Sequence, residues 1–296
     1  GSLRGKYAPG LLLKAGLVLE RQGKEGHYDR FRNRAVFPIT NESGKVVAFG
    51  ARSLDGSEPK YLNSPETPAY SKSRILYGLS WARDTVVREK RAVLMEGYLD
   101  VARAIEAGVT GAVATCGTAL TGQHARLLSR FAETAVLNFD QDEAGQKAAR
   151  KSLEVLLEEG IRVRIVELPE GHDPDTYLKA EGVEAYRKRL DEAPEAVEWL
   201  MRRAESASDT GSPSGKAAFL ATVMPALVRT TNAVERQAWL ARVVERGSLD
   251  AGAAREELRR ALSGRTGGTS AVAEAATRRP AVPRGAVLLP AERWLL

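Results

Sequence analysis

The chain has 296 residues, 43% hydrophobic and 28% charged, which is typical of a globular protein of about two domains. Its single cysteine, Cys116, excludes a disulfide framework and a cysteine-based zinc site, so we expect no zinc and a cytoplasmic location. No apolar run approaches the roughly 18 residues that span a membrane, so no membrane partner is expected. The net charge of +6 is concentrated in residues 1–90, where sixteen lysines and arginines accompany nine acids. This distribution favours a polyanionic ligand, with a solvated basic surface as the alternative.

Residues 1–90 are predicted to form a basic, mixed α+β N-terminal subdomain. A short helix is predicted over 11–20, followed by a β-hairpin whose strands lie near 36–39 and 46–49. Two prolines exclude a regular helix between residues 60 and 68. Candidate phosphate-binding residues, each equally consistent with an ordinary surface position, are Arg52, Lys60, Asn63, Lys72 and Arg74.

Residues 91–181 alternate between apolar strands and helices, which predicts an α/β domain with a parallel sheet flanked by helices. The predicted strands are 92–95, 111–115, 135–139 and 162–167, and the predicted helices are 98–107, 121–131 and 143–159. Acidic segments follow the first and third strands and lie beyond the fourth. Because ligands bind outside the carboxyl ends of such strands, these acids are expected to converge there. The acids that follow the first and third strands can converge only if those two strands are neighbours in the sheet. This requirement predicts the strand order 2-1-3-4.

Six carboxylates in one crevice would repel each other, and a hard divalent cation, Mg²⁺ or Mn²⁺, would relieve that repulsion. The predicted metal ligands are Glu96, Asp100, Asp140, Asp142, Asp173 and Asp175. Taken singly, each acidic segment has an ordinary explanation as a surface turn, a helix-start acid or a proline turn. Three such segments at equivalent positions favour a metal site. The three histidines lack ligand spacing and are interpreted as structural or surface residues.

Residues 182–263 are predicted to form a helical subdomain, with helices over 182–191, 194–207, 213–228, 232–247 and 251–262. Residues 264–288 are rich in glycine, threonine, alanine and arginine, which predicts a flexible linker. Residues 289–296 are expected to begin a further, truncated domain.

Several of these motifs together resemble bacterial replicative DNA primases of the DnaG type, which belong to the Toprim superfamily. The Toprim-like residues are Glu96-Gly97-Tyr98-Leu99-Asp100, Asp140 with Asp142, and Asp173-Pro174-Asp175. The stretch Lys60-Tyr61-Leu62-Asn63-Ser64-Pro65-Glu66-Thr67 makes the resemblance specific to primases, and the similarity covers roughly residues 7–263. Gln141 departs from the family, which usually has glycine at that position.

The resemblance implies the catalytic core of a primase that synthesises short RNA primers from ribonucleoside triphosphates on single-stranded DNA at the replication fork. Catalysis by two-metal nucleotidyl transfer would depend on Glu96, Asp140 and Asp142, with Glu96 acting either as a metal ligand or as a general base. In the full-length protein, a replicative helicase would bind through a domain missing here. The alternatives are a Toprim-type metal-dependent nuclease or hydrolase and a non-catalytic module that binds single-stranded DNA.

Overall fold

The structure is a computed structural model that describes residues 3, 5–23, 25–140, 142–169 and 171–276, with side chains to residue 264. It divides into two compact units, residues 1–249 and 250–296. The predicted boundaries at 90 and 181 both fall inside the first unit, so they remain a sequence-based description of its parts. In the described part of the chain, no helix has the length and apolarity needed to cross a bilayer.

The N-terminal part contains two small antiparallel sheets. Its elements are α1 (Pro9–Lys14), β1 (Val18–Glu20), β2 (His27–Asp29), β3 (Arg34–Thr40), β4 (Val46–Ser53) and β5 (Tyr61–Asn63). The predicted hairpin is confirmed as β3 and β4, and β5 extends that sheet along the other edge of β4. The predicted helix over 11–20 is wrong in its second half, because Gly16 adopts a φ of 68° and the chain then becomes extended.

The central sheet carries four parallel strands, as predicted, and one further strand. Its elements are β6 (Leu76–Tyr77), α2 (Leu79–Glu89), β7 (Arg91–Met95), α3 (Tyr98–Glu106), β8 (Ala112–Thr115), α4 (Gly122–Leu128), β9 (Thr134–Leu137), α5 (Glu143–Glu158) and β10 (Arg162–Ile165). The order β10-β9-β7-β8-β6 confirms the predicted arrangement 2-1-3-4 of the parallel strands. The two-residue strand β6 pairs antiparallel with β8 and was not predicted, because two residues show no periodicity.

The middle strands of this sheet are buried on both faces. Leu94, Val136 and Leu137 have no exposed surface, as expected for the near-continuous apolar strands of a parallel sheet covered by helices. This packing fixes the register between β7 and β9, in which Leu94 lies opposite Leu137. The chain segments that leave these two strands therefore begin side by side at one edge.

Helices follow the sheet, as predicted, but the first begins at Pro174 and not at 182, because Asp173 caps it; Gly182, with a φ of 80°, is a kink inside that helix. Within the first unit they are α6 (Pro174–Glu192), α7 (Ala196–Ala207), α8 (Pro213–Arg229) and α9 (Ala233–Arg246). The second unit contains α10 (Ala251–Ala276), which continues beyond 262 and into the predicted linker. The four alanines between 271 and 276 favour a helix, whereas the three glycines at 264, 267 and 268 disfavour one, so helix propensity alone does not account for this extension. The remainder of the predicted linker and residues 289–296 lie outside the described residues.

Candidate functional site

Two of the acidic segments meet at the carboxyl edge of the central sheet. Glu96 follows β7 directly, and Asp140 lies just beyond the neighbouring strand β9. The Oε1 atom of Glu96 accepts a hydrogen bond of 2.8 Å from the backbone N–H of Asp140. The first and third strands therefore bring their acids into direct contact, as the strand-order prediction requires.

The carboxylates of the edge influence one another's titration. Partial desolvation, together with the charges of Asp140, Asp142 and Asp100, raises the pKa of Glu96. The pKa of Asp100 is raised by desolvation and then by three aspartates, including Asp173 and Asp175. Desolvation and two neighbouring aspartates likewise raise the pKa of Asp140. All six predicted ligands thus belong to one electrostatically coupled cluster.

Several of these acids also bind backbone N–H groups. Asp142 is the N-cap of α5 and accepts a 2.7 Å hydrogen bond from the N–H of Gly145. Asp173 is the N-cap of α6, and the backbone N–H of Thr176 is the main cause of its lowered pKa. Asp100 accepts a 2.9 Å bond from the N–H of Gly97. Helix N-termini stabilise negative charge in this way, and at Asp173 the result is a lowered pKa.

Asp175 differs from the other five in forming ion pairs with described cations. Lys179 lies one helical turn away with an N–O distance of 2.7 Å, and Arg103 of α3 lies 3.5 Å from the other carboxylate oxygen. Its charge is thus partly neutralised within the protein. It remains in the cluster as a neighbour of Asp100.

The donor chemistry of the cluster fits a hard divalent cation. Carboxylate oxygens are the preferred ligands of Mg²⁺ and Mn²⁺, and a cation would relieve the repulsion that adds to desolvation in raising three of the pKa values. Among the described residues, however, no three acidic, histidine or cysteine side chains stand in an arrangement that would hold a metal directly. Their oxygens bind backbone N–H groups instead, as at Glu96, Asp100, Asp142 and Asp173. The composition of the cluster supports the predicted metal site, and the ligand set stays a prediction.

Gly145 permits the close approach of the two acidic segments. A Cβ atom at this position would lie 2.2 Å from the backbone oxygen of Asp140 and 2.8 Å from Oε1 of Glu96. Both distances are shorter than any van der Waals contact, so only glycine fits here. The sequence signal for this residue is its place in the first turn of the helix that follows the acids, and Gly145 was not among the predicted site residues.

Asn63 joins the N-terminal sheet to the central sheet rather than projecting freely for phosphate binding. Its Oδ1 atom accepts a 2.8 Å hydrogen bond from the hydroxyl of Tyr98, and its Nδ2 donates to the backbone oxygen of Cys116 at 2.9 Å. Its own backbone oxygen accepts two bonds from the guanidinium of Arg30. Tyr98 follows Glu96 by two residues. Asn63 therefore anchors the sheet of β3, β4 and β5 beside the carboxyl edge of the central sheet, which carries the six acids and is called the acidic edge below. Tyr98 belongs to the acidic motif, but its part in joining the two sheets was not predicted from the sequence.

The predicted phosphate-binding cations fall into two groups. Arg52 lies on β4, in the sheet formed by β3, β4 and β5, and pairs across the strands with Tyr61 of β5. Lys60 directly precedes β5. Lys72 and Arg74 lie in the turn before β6. The Nε of Arg74 donates to Gln123 of α4 at 3.1 Å, and the backbone oxygen of Lys72 is bonded to His124. The histidine is fully buried, in keeping with the structural role predicted for it.

The cations of the N-terminal part differ from many later ones in forming no ion pairs, although the charge of Lys72 acts on the nearby Glu66. Of the lysines and arginines described between residues 5 and 74, none forms an ion pair, whereas later residues such as Arg229 and Arg246 each bind two glutamates. Unpaired cations keep their full charge available for an external anion. This pattern supports the prediction that the first part of the chain binds a polyanion.

The fold and the acidic edge define a Toprim-like domain joined to a basic N-terminal subdomain. The family model "Toprim-like" matches residues 93–178, and the model "DNA primase catalytic core, N-terminal domain" matches residues 3–83. The chain belongs to the DnaG-type family of bacterial DNA primases, within the part that forms the catalytic core.

Individual relatives agree with this assignment. A DNA primase of Halalkalibacterium halodurans is 39% identical over 245 residues, which are 82% of this chain and 41% of that protein. The chain thus spans well under two thirds of the length of that curated relative. A DNA primase domain from Pseudomonas aeruginosa superposes with a TM-score of 0.77 at 36% identity, covering 86% of this chain and 79% of that one. A DnaG primase catalytic domain solved bound to single-stranded DNA gives 0.75 at 34% identity, covering 84% and 80%.

Proposed function

We propose that this chain synthesises short RNA primers from ribonucleoside triphosphates on a single-stranded DNA template by nucleotidyl transfer. One observation carries the proposal: a cluster of mutually repelling carboxylates lies at a sheet edge that is anchored, through Asn63 and Tyr98, to a subdomain with unpaired cations. A polymerase needs these two features together, since it must neutralise the triphosphate and hold a nucleic-acid backbone.

The acidic side chains would hold Mg²⁺ or Mn²⁺, which when bound activates the attacking 3′-hydroxyl and neutralises charge on the triphosphate and the leaving pyrophosphate. Asp140 is the clearest ligand among the aspartates, because it caps no helix and forms no ion pair with any residue that the structure describes. Asp142 and Asp173 would contribute the oxygens that their capping bonds leave free. Glu96 serves either as a further ligand or as the group that receives the hydroxyl proton. Its raised pKa suits the second role.

The cations of the N-terminal part would hold the anionic substrates. Arg52 and Lys60 would bind phosphate at the sheet of β3, β4 and β5, beside Tyr98. Lys72 and Arg74 would bind phosphate at the turn before β6. The contact to template is mainly to the backbone, because point charges and guanidinium groups bind phosphate without reading bases. Asn63 acts by positioning the sheet, since both of its amide atoms are used within the fold.

Single-stranded DNA is the proposed template, supported by a catalytic domain of this family, 34% identical to the chain, that was solved with such DNA bound. In the complete protein, a replicative helicase is the proposed partner that brings the primase to the replication fork.

The decisive experiment incubates the protein with end-labelled single-stranded DNA, labelled ribonucleoside triphosphates and either Mg²⁺ or Mn²⁺. Alkali-labile oligoribonucleotides that require the DNA would support primer synthesis. Shortening of the labelled DNA without ribonucleotide incorporation would instead indicate a nuclease, and DNA binding with neither product would indicate a binding module. Either of these two results would overturn the proposal.

A further inference from the structure

We propose that a buried hydrogen bond between Asn138 and Tyr186 positions the third acidic segment, residues 173–175, against Asp140 at the acidic edge. Both are positioning residues, since neither is a proposed ligand. This role rests on the proposed function for the identity of the ligand, a divalent cation, and it adds two residues that the proposed mechanism does not use.

The pair joins the strand that leads to Asp140 to the helix that begins at the third acidic segment. Asn138 follows β9 directly, and its backbone N–H donates to the carbonyl oxygen of Leu94 in β7 at 2.9 Å. The backbone of Asn138 is therefore held by the central sheet. Its side-chain Nδ2 donates a hydrogen bond to the hydroxyl of Tyr186, which lies in α6.

The surroundings of this hydrogen bond are apolar. Asn138 is exposed by 1% and Tyr186 not at all, and Tyr186 belongs to the same buried cluster as Val136 and Leu190. The Oδ1 atom of Asn138 is also buried and has no partner among the described residues. A buried amide with one atom unsatisfied adds little to stability, and two apolar side chains of the same shape would serve as well. What the polar pair adds is one required placement of α6 on β9.

Aromatic rings carry this placement across the kink in α6 to Asp173. Gly182 interrupts the helix, so the helical backbone alone does not align its two halves. The ring centre of Tyr177, in the first half, lies 6.3 Å from that of Tyr186 in the second half. His172 packs edge-on against Tyr177 with 5.7 Å between ring centres, and it directly precedes Asp173. Packed side chains thus connect Tyr186 to the start of the third acidic segment.

Electrostatic effects place Tyr186 close to the acids. Burial, and then the negative charge of Asp100, raise the pKa of Tyr186. Asp173 is in turn near enough to Asp140 to contribute to its raised pKa, after desolvation and Asp142. A shift of α6 would therefore change the spacing of Asp173 from acids on two other segments, and with it the geometry offered to a cation.

The test compares variants that remove one or both polar groups of the pair. Tyr186→Phe removes the hydroxyl alone, and Asn138→Leu replaces the amide by an apolar group of the same branched shape. The double variant combines the two changes. The matched control is Tyr70→Phe, which removes the hydroxyl of another tyrosine, exposed by 1%, between β5 and β6. Mn²⁺ binding is measured by electron paramagnetic resonance, and stability by thermal unfolding without metal.

We expect both single variants and the double variant to bind Mn²⁺ about ten- to a hundredfold more weakly than wild type, as is usual when residues that orient metal ligands are changed. Tyr70→Phe should bind Mn²⁺ like wild type. Each single variant should unfold at a lower temperature, because it leaves a buried polar group unpaired, and the double variant should recover much of that loss. The double variant therefore separates positioning from stability.

A purely structural pair would behave differently. Wild-type Mn²⁺ affinity in Tyr186→Phe, or a double variant that recovers Mn²⁺ affinity together with stability, would overturn the inference. If Asn138→Leu fails to fold, Tyr186→Phe decides, since it inserts no atoms into the core.

A second measurement needs neither metal nor catalysis. Without metal, amide hydrogen exchange in residues 173–181 should be faster in Tyr186→Phe than in wild type, while exchange in β7 stays the same. Equal exchange in residues 173–181 would overturn the inference. If wild type makes no RNA but Tyr186→Phe shows these changes, the proposed function fails and the positioning pair stands. If RNA is made and Tyr186→Phe binds Mn²⁺ like wild type, only the positioning pair fails.

Discussion

Asp140 shows at the scale of one residue that the acidic cluster is arranged for a ligand and not for stability. Its raised pKa means that the folded, metal-free protein disfavours the ionised carboxylate. Asp140→Asn removes that charge and keeps the shape of the side chain. We expect primer synthesis to fall by orders of magnitude while the midpoint of thermal unfolding, measured without metal at neutral pH, rises by a few degrees.

The pH dependence of this stability difference follows from the sign of the shift. Because folding raises the pKa of Asp140, the protonated carboxyl of this residue contributes to stability. That contribution is complete below the ordinary pKa of 3.8 and is lost as pH rises through the folded-state pKa. The stability gap between Asp140→Asn and wild type should therefore be largest near neutral pH and close as pH falls towards 3.8. The control is Asp84→Asn on the solvent-exposed face of α2, which should change neither activity nor stability. A lower unfolding midpoint for Asp140→Asn across the whole range would contradict this account.

Asp142 combines a proposed ligand with a helix cap, and substitutions can separate the two. Asp142→Ala removes both the charge and the acceptor for the N–H of Gly145, so it should cost about 1 kcal/mol of unfolding free energy along with activity. Asp142→Asn keeps a capping oxygen and should lose activity with little change in stability. Chemical denaturation together with primer synthesis tests this pair. Equal stability of the two variants would show that the capping bond contributes nothing.

At the scale of the element, the first turn of α5 is built around Gly145. Gly145→Ala would place a methyl group against the backbone oxygen of Asp140, and backbone cannot move away as a side chain can. We expect a loss of about 1–3 kcal/mol and a large loss of activity, although alanine favours helices. The matched control is Gly122→Ala at the start of α4, where the nearest atom to the new Cβ lies 3.9 Å away. That variant should be neutral or slightly stabilised by up to about 1 kcal/mol. Equal behaviour of the two glycines would refute the packing argument.

The sequence predicted the elements that have a strong period or a strong chemical signal. Alternating strands and helices gave the central sheet, and the demand that Glu96 and Asp140 meet gave the order of its parallel strands. The two-residue strand β6 and the early end of α1 were missed, because short elements are decided by tertiary pairing and by a single glycine.

Parts of the candidate site were beyond sequence reasoning for a different physical reason. The acids could be listed from their positions after strands, but which oxygens would bind backbone N–H groups depends on three-dimensional contacts. Asn63 looked like a phosphate ligand among cations, and only the fold shows that its amide is used by Tyr98 and Cys116. The need for glycine at position 145 could not be predicted, because it depends on which atoms approach that residue in the fold.

At the scale of the whole molecule, the uneven pairing of charges predicts how DNA binding responds to salt. Each phosphate contacted by an unpaired cation releases counterions, so log Kd should rise with log salt by about 0.7 per contact for a single strand. Lys60→Ala removes an unpaired cation and should lower that slope. Lys90→Ala, whose amino group already binds Glu133 at 2.5 Å, should leave it unchanged. A flat dependence for wild type would show that the N-terminal cations are not the binding surface.

The central claim is that the acidic edge catalyses nucleotidyl transfer to a nucleic acid held by the basic subdomain. It is tested most directly by the rate at which one ribonucleotide is added to an RNA primer already annealed to a DNA template, in Mg²⁺ and in Mn²⁺. We predict template-directed addition by wild type and by Asp84→Asn, and a rate at least about a hundredfold lower for Asp140→Asn. Addition by Asp140→Asn at the wild-type rate, or no addition by the wild-type protein in either metal, would contradict the account.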